Sequence, residues 1–137
     1  MPNELNITDK VLFVDDELSA LQGLSEVLSQ QFDLFCATNG TDALNLIKEQ
    51  AFDLILLDVE LPDIPGFKIC QQLKANPATR HIPVIFLTGF EDLVFEGQAF
   101  DSGAADFICK PVIPARLMMR MRYHIARKKE LEQLLTH

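Results

Sequence analysis

Short apolar segments alternate five times along this chain with longer segments of helical periodicity. Several of the short segments are apolar at every position instead of every second one, which indicates burial on both faces, as in a parallel sheet. The predicted strands are Lys10–Val14, Asp33–Ala37, Asp53–Leu57, Pro83–Leu87 and Asp106–Ile108. This alternation predicts an α/β fold, an open, doubly wound five-stranded parallel sheet with helices on both faces.

The helical segments between the strands have recognisable start and stop signals. Leucines from Leu18 to Leu28 mark one face of the first helix, and Asn39 followed by glycine and threonine starts the second. The third helix is expected to end by Asn76, which precedes a proline. Gly103 is a candidate C-cap for the fourth helix, and Pro114 suits the first turn of the fifth.

Charge is distributed unevenly along the 137 residues. Residues 1–112 contain 6 Lys and Arg against 18 Asp and Glu, a net charge of −12, whereas residues 113–137 contain 6 against 2, a net charge of +4. A body this acidic repels nucleic-acid phosphates, so we expect no direct nucleic-acid binding. The basic tail fits a solvated helix face better than a DNA-binding arm.

Localisation is predicted from the lack of membrane-spanning, signal-peptide and paired-cysteine patterns in the sequence. No apolar run approaches the roughly 20 residues that a membrane span needs, and residues 1–10 have no signal-peptide pattern. The three cysteines are widely spaced, without a CxxC pair, which fits reduced thiols. We therefore expect a cytoplasmic protein that does not enter the membrane.

Acidic and polar residues follow four of the five predicted strands. In an open parallel sheet the carboxyl ends of the strands meet at one edge, where ligands bind. The residues expected there are Asp15, Asp16 and Glu17 after the first strand, Asp58 after the third, Thr88 after the fourth and Lys110 after the fifth. At least three carboxylates, one hydroxyl and one ammonium are thus predicted to converge.

A cluster of this composition favours a particular chemistry. Crowded carboxylates repel one another unless a cation neutralises them, and a site with oxygen ligands but no Cys or His suits Mg²⁺. A carboxylate such as Asp58 is already ionised at neutral pH and can attack phosphorus without a general base. Lys110 and Thr88 can then neutralise the charge on the phosphoryl oxygens.

Six motifs together make the chain resemble a known family. They are Val11-Leu12-Phe13-Val14-Asp15-Asp16-Glu17, Leu54-Ile55-Leu56-Leu57-Asp58, the pair Pro62 and Gly66, Pro83-Val84-Ile85-Phe86-Leu87-Thr88-Gly89, Gly103-Ala104-Ala105-Asp106-Phe107, and Lys110-Pro111. With them, residues 9–125 resemble the receiver domains of response regulators from bacterial two-component systems. The resemblance implies a flavodoxin-like (βα)₅ receiver and leaves residues 126–137 as a C-terminal helix extension or linker.

The resemblance also implies roles for individual residues. Asp58 would accept a phosphoryl group from a phosphohistidine on a sensor histidine kinase or a histidine phosphotransfer protein. Asp16 and Asp58 would ligate Mg²⁺ directly, Asp15 largely through water, and Glu60 through its backbone carbonyl. Thr88 and Lys110 would bind the phosphoryl oxygens.

A switch is implied as well. Phe107 matches the rotating aromatic of the family, which moves inward as Thr88 is drawn to the phosphate and changes the surface of helix 4, strand 5 and helix 5. The Lys110–Pro111 bond is expected to be cis. Pro65 stands where the family often has Asp or Ser, which predicts a stiffer loop after Asp58. The chain would be a signalling phosphoacceptor and not an enzyme in its own right.

Two other functions use similar residues. A Mg²⁺-dependent phosphatase of the haloacid-dehalogenase type also has an aspartyl nucleophile and a lysine, but it usually has a second aspartate where this chain has Glu60, and it needs a cap domain. A flavodoxin-like FMN carrier needs a Ser-, Thr- and Gly-rich loop after the first strand, where the acids at Asp15 and Asp16 would repel the phosphate.

The last helical pattern is longer than the domain needs. It can continue from Pro114 to Leu135, about 33 Å at 1.5 Å per residue. Leu117, Met121, His124, Lys128, Leu131 and Leu135 recur at heptad-like spacing. A dimerising or signalling helix, which would give a homodimer, and a frayed tail both fit this pattern. The chain is then either a single-domain regulator or a receiver with a fused output domain beyond His137.

Overall fold

The protein is described by a computed structural model over residues 9–89 and 93–135, without the side chains of residues 18–22 and 93–96. The strands are β1 (Lys10–Val14), β2 (Asp33–Ala37), β3 (Leu54–Asp58), β4 (Val84–Thr88) and β5 (Asp106–Cys109). The helices are α1 (Leu18–Ser29), α2 (Gly40–Glu49), α3 (Gly66–Ala75), α4 (Leu93–Asp101) and α5 (Pro114–Leu135). None of the helices in these residues combines the length and apolarity needed to cross a membrane.

All five strands form one parallel sheet in the order β2-β1-β3-β4-β5. Val14 pairs with Leu57, Asp58 pairs with Leu87, and Thr88 pairs with Cys109. This register brings the carboxyl ends of β1, β3, β4 and β5 level with one another. The predicted open, doubly wound α/β sheet is confirmed.

Two hydrophobic layers cover the sheet and bury both faces of its central strands β1, β3 and β4. Along β1, Leu12 and Val14 face the layer formed with α2, α3 and α4, and Val11 and Phe13 face the layer formed with α1 and α5. All four side chains are at most 1% exposed. The apolar runs in the sequence therefore reflect two-sided burial. Of the leucines predicted on α1, Leu28 is buried, and Leu18 lies outside the described side chains.

β3 and β4 each lie one residue later in the sequence than predicted. Pro83 has no N–H to donate to a ladder and contributes only its carbonyl, which accepts the N–H of Ile55 at 3.0 Å. Asp53 precedes β3, and its carboxylate accepts the N–H of Lys10 at 2.8 Å. As a result Asp58 and Thr88 are the last residues of their strands and are held by the sheet itself.

The end of α4 has the predicted glycine cap. Gly103 has a φ of +96°, which an L side chain rarely adopts. Its N–H donates to the carbonyl of Phe100 at 3.0 Å, and the N–H of Ala104 donates to that of Ala99 at 3.3 Å. This pair of bonds is the Schellman motif that ends helices at glycine.

α5 packs its first turns against the protein's own sheet. Leu117, Met121 and Ile125 are at most 3% exposed and belong to the core. The predicted apolar stripe for a partner is therefore wrong in its first half, because Leu117 and Met121 are already buried. Leu131 and Leu135, 47% and 71% exposed, are the leucines of that stripe that remain at the surface.

Several basic residues of α5 contact carboxylates at the amino edge of the sheet. Asp106, the first residue of β5, lies 3.2 Å from Nη1 of Arg120 and 3.0 Å from Nε2 of His124. Lys128 pairs with Asp53 at 3.5 Å, and Lys129 pairs with Asp9. The predicted solvated helix face therefore also makes ion pairs with the sheet, with Arg120 and Lys129 still 51% and 40% exposed and Lys128 largely covered.

The burial of α5 predicts unequal effects of two leucine substitutions. Leu117→Ala removes a side chain that is 0% exposed and should cost about 2–5 kcal/mol of unfolding free energy. Leu134→Ala on the same helix changes a side chain that is 73% exposed and should cost much less. Urea unfolding of both variants measures the difference, and equal losses would contradict the described packing of α5.

Candidate functional site

Four strand ends position the side chains that the sequence predicted to converge. Asp15 directly follows β1, and its N–H donates to the carbonyl of Ala37 on β2 at 3.1 Å. Lys110 directly follows β5, and its N–H donates to the carbonyl of Thr88 at 2.6 Å. Asp58 and Thr88 end β3 and β4. Backbone bonds of the sheet therefore determine where these functional groups lie.

Three carboxylates meet at this edge. One oxygen from each of Asp15, Asp16 and Asp58 lies within 4.8 Å of the other two. Asp15 and Asp58 are 1% and 9% exposed, and Asp16 is open to solvent. An all-oxygen donor set with at least two buried negative charges suits a hard divalent cation such as Mg²⁺ better than a softer metal.

Lys110 supplies the positive charge that faces these carboxylates. Its Nζ lies 3.1 Å from Oδ2 of Asp15 and 3.8 Å from Oδ2 of Asp58. Burial works against the charge on Lys110, but the hydrogen bond to Asp15 and the negative charges of Asp58 and Asp15 outweigh it. Together they raise the pKa of the Lys110 ammonium above its ordinary value, so the group stays protonated.

Asp58 is poorly solvated for a charged group. Its burial raises its pKa to about 6, and the nearby charge of Asp15 acts in the same direction. The N–H of Glu60, 3.2 Å from Oδ1 of Asp58, and the charge of Lys110 lower the pKa without cancelling the burial effect. A cation added beside Asp58 would therefore favour its ionised form.

Thr88 and Phe107 lie on the same face of the sheet. Phe107 pairs in register with Phe86, two residues before Thr88 on β4. Thr88 is 2% exposed, and Phe107 is partly buried against the layer formed with α2, α3 and α4. The Lys110–Pro111 bond is cis, as predicted.

The loop after Asp58 returns tightly to the strand. The N–H of Gly66, the first residue of α3, donates to the carbonyl of Val59 at 2.9 Å. A Cβ at Gly66 would lie 2.5 Å from the carbonyl oxygen of Asp58 and 3.0 Å from Cα of Val59. Because both atoms belong to the backbone, only glycine fits here. The glycine eight residues after Asp58 thus allows the loop to close beside the cluster.

Sequence reasoning missed Asp63 in the same loop. Its carboxylate accepts hydrogen bonds from the backbone of Gly40 and from the backbone and hydroxyl of Thr41, at 2.7 to 2.9 Å. The available signal was an acidic residue between two prolines in the loop after Asp58. Its partners are 22 and 23 residues away in the sequence, so no local pattern indicates them.

A family model and individual known proteins agree on the family that this chain resembles. Residues 11–122 match the family model of the response regulator receiver domain. A probable cyclic di-GMP phosphodiesterase of Vibrio cholerae is 37% identical over 126 residues, 92% of this chain. The response regulator PleD of Caulobacter vibrioides is 35% identical over 114 residues, 82% of this chain.

A solved structure agrees with these sequence matches. The signal receiver domain of a putative Luxo repressor protein from Vibrio parahaemolyticus superposes with a TM-score of 0.84 at 29% identity, covering 95% of this chain and 98% of that one. The chain spans only 29% and 25% of the two curated relatives named above. The likeness therefore concerns one module of those longer proteins.

The raised pKa of Asp58 predicts a pH-dependent cost of its charge. Below the ordinary pKa of 3.8 the carboxyl is neutral in the folded and unfolded states, whereas above about 6 the folded state bears the full penalty of ionising it. Asp58→Asn should therefore raise the melting temperature of the chelator-treated protein at pH 7.5, and the gain should shrink as the pH falls to 5.

A matched change at an exposed aspartate controls for net charge. Asp33→Asn removes the same charge from a solvated side chain and should change the melting temperature little at either pH. Differential scanning fluorimetry measures all three proteins. A gain for Asp58→Asn that grows as the pH falls would contradict the assigned pKa direction.

Proposed function

The chain belongs to the response regulator receiver family, and from that premise we propose that it is a signalling switch that accepts a phosphoryl group on Asp58 in a Mg²⁺-dependent reaction. The observation that carries the proposal is the convergence of Asp15, Asp16, Asp58 and Lys110 at one edge of the sheet. The phosphoryl donor would be a phosphohistidine on a sensor histidine kinase or on a histidine phosphotransfer protein.

Asp58 is the nucleophile in this proposal. An oxygen of its ionised carboxylate bonds to phosphorus as the phosphorus–nitrogen bond of the donor breaks, and the imidazole nitrogen keeps the electron pair. No proton has to leave Asp58 above its pKa of about 6. The product is an aspartyl phosphate on the last residue of β3.

Lys110 and Thr88 stabilise the transferred group. The Lys110 ammonium already lies within 4 Å of Asp58, so it can follow the negative charge as it moves onto the phosphoryl oxygens. Thr88 ends the neighbouring strand β4, from which its hydroxyl would bind a phosphoryl oxygen. Both are proposed as catalytic residues because they would touch the reacting group.

Mg²⁺ would be held by Asp16 and Asp58 directly, by Asp15 largely through water, and by the backbone carbonyl of Glu60. The three carboxylates fit this role because their oxygens already lie within 4.8 Å of one another. When bound, the ion supplies positive charge that offsets the repulsion between the carboxylates and the phosphoryl oxygens.

The signal would leave the site through Thr88 and Phe107. Movement of Thr88 toward a phosphate empties space on the face of the sheet that Phe107 shares, so Phe107 would turn inward. The surface formed by α4, β5 and α5 would change with it. We place this switch in the cytoplasm, where the free thiols of Cys36, Cys70 and Cys109 stay reduced.

The output is proposed to lie in another module. The curated relatives named above are about three to four times longer than the matched region, and one of them is a probable phosphodiesterase. In this proposal α5 and its extension connect the receiver to such a module, and the receiver itself is not an enzyme acting on separate substrates. An aspartyl-nucleophile phosphatase remains the alternative.

Phosphorylation provides the direct test. Incubation with acetyl phosphate and MgCl₂ should add one phosphoryl mass that hydroxylamine removes, because acyl phosphates react with hydroxylamine. Asp58→Asn should show no added mass, since an amide cannot accept the group. Intact-protein mass spectrometry provides the measurement, and Asp33→Asn is the control that should be labelled like the parent chain.

Two outcomes would argue against this function. Equal labelling of Asp58→Asn would place the phosphate elsewhere. Continuous hydrolysis of p-nitrophenyl phosphate that depends on Asp58, without an accumulating phosphoprotein, would instead favour the phosphatase.

We also propose a homodimer through the C-terminal extension of α5. The support is a group of exposed apolar residues at the end of this helix, namely Leu131, Leu134 and Leu135. Pairing two copies would remove this surface from water at roughly 25 cal/mol per Å². The cations nearer the domain are engaged with their own sheet, so the extension beyond Lys129 is the part available to a second copy.

Sedimentation velocity tests this dimer. The parent chain should sediment as a dimer at micromolar concentration, and Leu131→Glu with Leu135→Glu should give a monomer because two charges would be buried in the interface. Met119→Glu, at an exposed position on the domain part of α5, should leave the dimer intact. A parent chain that is monomeric both with and without beryllofluoride would contradict the proposal.

A further inference from the structure

Asp63 joins two segments that are far apart in the sequence. Its Oδ1 accepts the N–H of Gly40 at 2.7 Å, and its Oδ2 accepts the N–H of Thr41 at 2.9 Å and the Thr41 hydroxyl at 2.7 Å. These three bonds, here called the Asp63 clamp, tie the loop between β3 and α3 to the first turn of α2. Oδ1 also accepts the N–H of Ile64, which orients the carboxylate within its own loop.

The clamp depends on a close approach that glycine permits. A Cβ at Gly40 would lie 2.9 Å from Cδ1 of Ile69, 3.0 Å from Cβ of Ile64 and 3.2 Å from Oδ1 of Asp63. A larger residue would require the Ile69 side chain and its neighbours in the loop to shift. The sequence is therefore adapted to the contact from both sides, by a carboxylate on the loop and a glycine on the helix.

α2 has a conventional cap of its own. Asn39 accepts the N–H of Asp42 at 2.8 Å and donates to the Asp42 carboxylate at 3.0 Å. That interaction lies within one turn and does not touch the β3–α3 loop. Asn39 and Asp63 thus bind different amide groups at the same helix end, and Asp63 alone of the two connects the helix to another segment.

The Asp63 carboxylate is held in its charged form. The hydroxyl of Thr41 and the N–H groups of Gly40 and Thr41 keep the pKa of Asp63 well below its usual value. A negative charge at the start of a helix also interacts favourably with the helix dipole. The clamp therefore persists over the whole range of pH in which the protein would be phosphorylated.

The loop restrained by the clamp contains the backbone of Glu60. At its start the N–H of Glu60 donates to Oδ1 of Asp58 at 3.2 Å, and at its end the N–H of Gly66 donates to the carbonyl of Val59. Asp63 lies three residues after Glu60, and Pro62, with its fixed φ, lies between them. A restraint on Asp63 is thus transmitted to Glu60 through a short and stiff segment.

We propose that Asp63 is a positioning residue for the metal and phosphoryl site, acting by fixing the β3–α3 loop so that the backbone of Glu60 is held beside Asp58. This inference rests on the proposed function, since it assigns Asp63 a part in building the Mg²⁺ site. Groups that orient metal ligands without touching the metal typically change metal affinity by 10- to 100-fold when they are removed.

Calorimetric titration of the full chain with MgCl₂ measures the effect. Asp63→Ala should weaken Mg²⁺ binding about tenfold at a temperature where the variant is fully folded. Asn39→Ala is the matched control, because it removes a cap from the same helix end and leaves the Asp63 clamp intact. It should lower the melting temperature in a similar way and bind Mg²⁺ like the parent chain.

A substitution on the α2 side of the Asp63 clamp tests whether the clamp affects Mg²⁺ binding. Thr41→Val removes the hydroxyl bond to Asp63 from a residue on α2, so it should weaken Mg²⁺ binding in the same direction by a smaller factor. In the double variant with Asp63→Ala it should have no additional effect, because the partner of the hydroxyl is already gone.

The possible outcomes distinguish a failure of the Asp63 inference from a failure of the proposed metal site. If the parent chain binds Mg²⁺ and Asp63→Ala binds it equally well, Asp63 is only a helix cap and the inference is overturned. If Asn39→Ala weakens Mg²⁺ binding as strongly as Asp63→Ala does, the effect comes from the lower stability of α2 and the inference fails as well. A parent chain that does not bind Mg²⁺ overturns the metal site itself.

Discussion

The carboxylates of Asp15 and Asp58, buried at the carboxyl edge of the sheet, face the ammonium group of Lys110. A buried charge is costly unless it is compensated. Lys110 offsets only part of the negative charge of these carboxylates. Burial raises the pKa of Asp58, with the nearby charge of Asp15 acting in the same direction, and the crowded carboxylates suit a hard divalent cation. The proposed chemistry would follow from this imbalance, because a cation bound here would offset the charge of the carboxylates and allow a negatively charged phosphoryl group to approach.

The opposite edge of the sheet is balanced internally. Asp9, Asp53 and Asp106 lie at or just before the starts of β1, β3 and β5, and cations of α5 pair with all three. The acidic body and the basic C-terminal segment of the sequence thus meet within one domain. Because these cations are engaged at the amino edge, they are not available to the carboxyl edge, where Lys110 faces the carboxylates.

Much of the fold could be predicted because its signals are local. Two-sided burial makes the central strands β1, β3 and β4 nearly continuous apolar runs, and the glycine at Gly103 marks a helix end through its own backbone conformation. The apolar stripe on α5 was misinterpreted because its spacing is also a local signal. A heptad-like spacing is identical whether a helix packs on its own sheet or on a second copy, and Leu117 and Met121 pack on the sheet.

The sequence by itself determined the order of strands and helices and, through the parallel topology, the convergence of Asp15, Asp58, Thr88 and Lys110. Residues that end parallel strands share one edge of the sheet, and the strand order β2-β1-β3-β4-β5 places these four ends next to one another. The tertiary structure alone decided which cations of α5 pair with which carboxylates and that Asp63 binds α2. Those contacts join residues from 14 to 120 positions apart, and their partners depend on distances that arise only once the helices are packed.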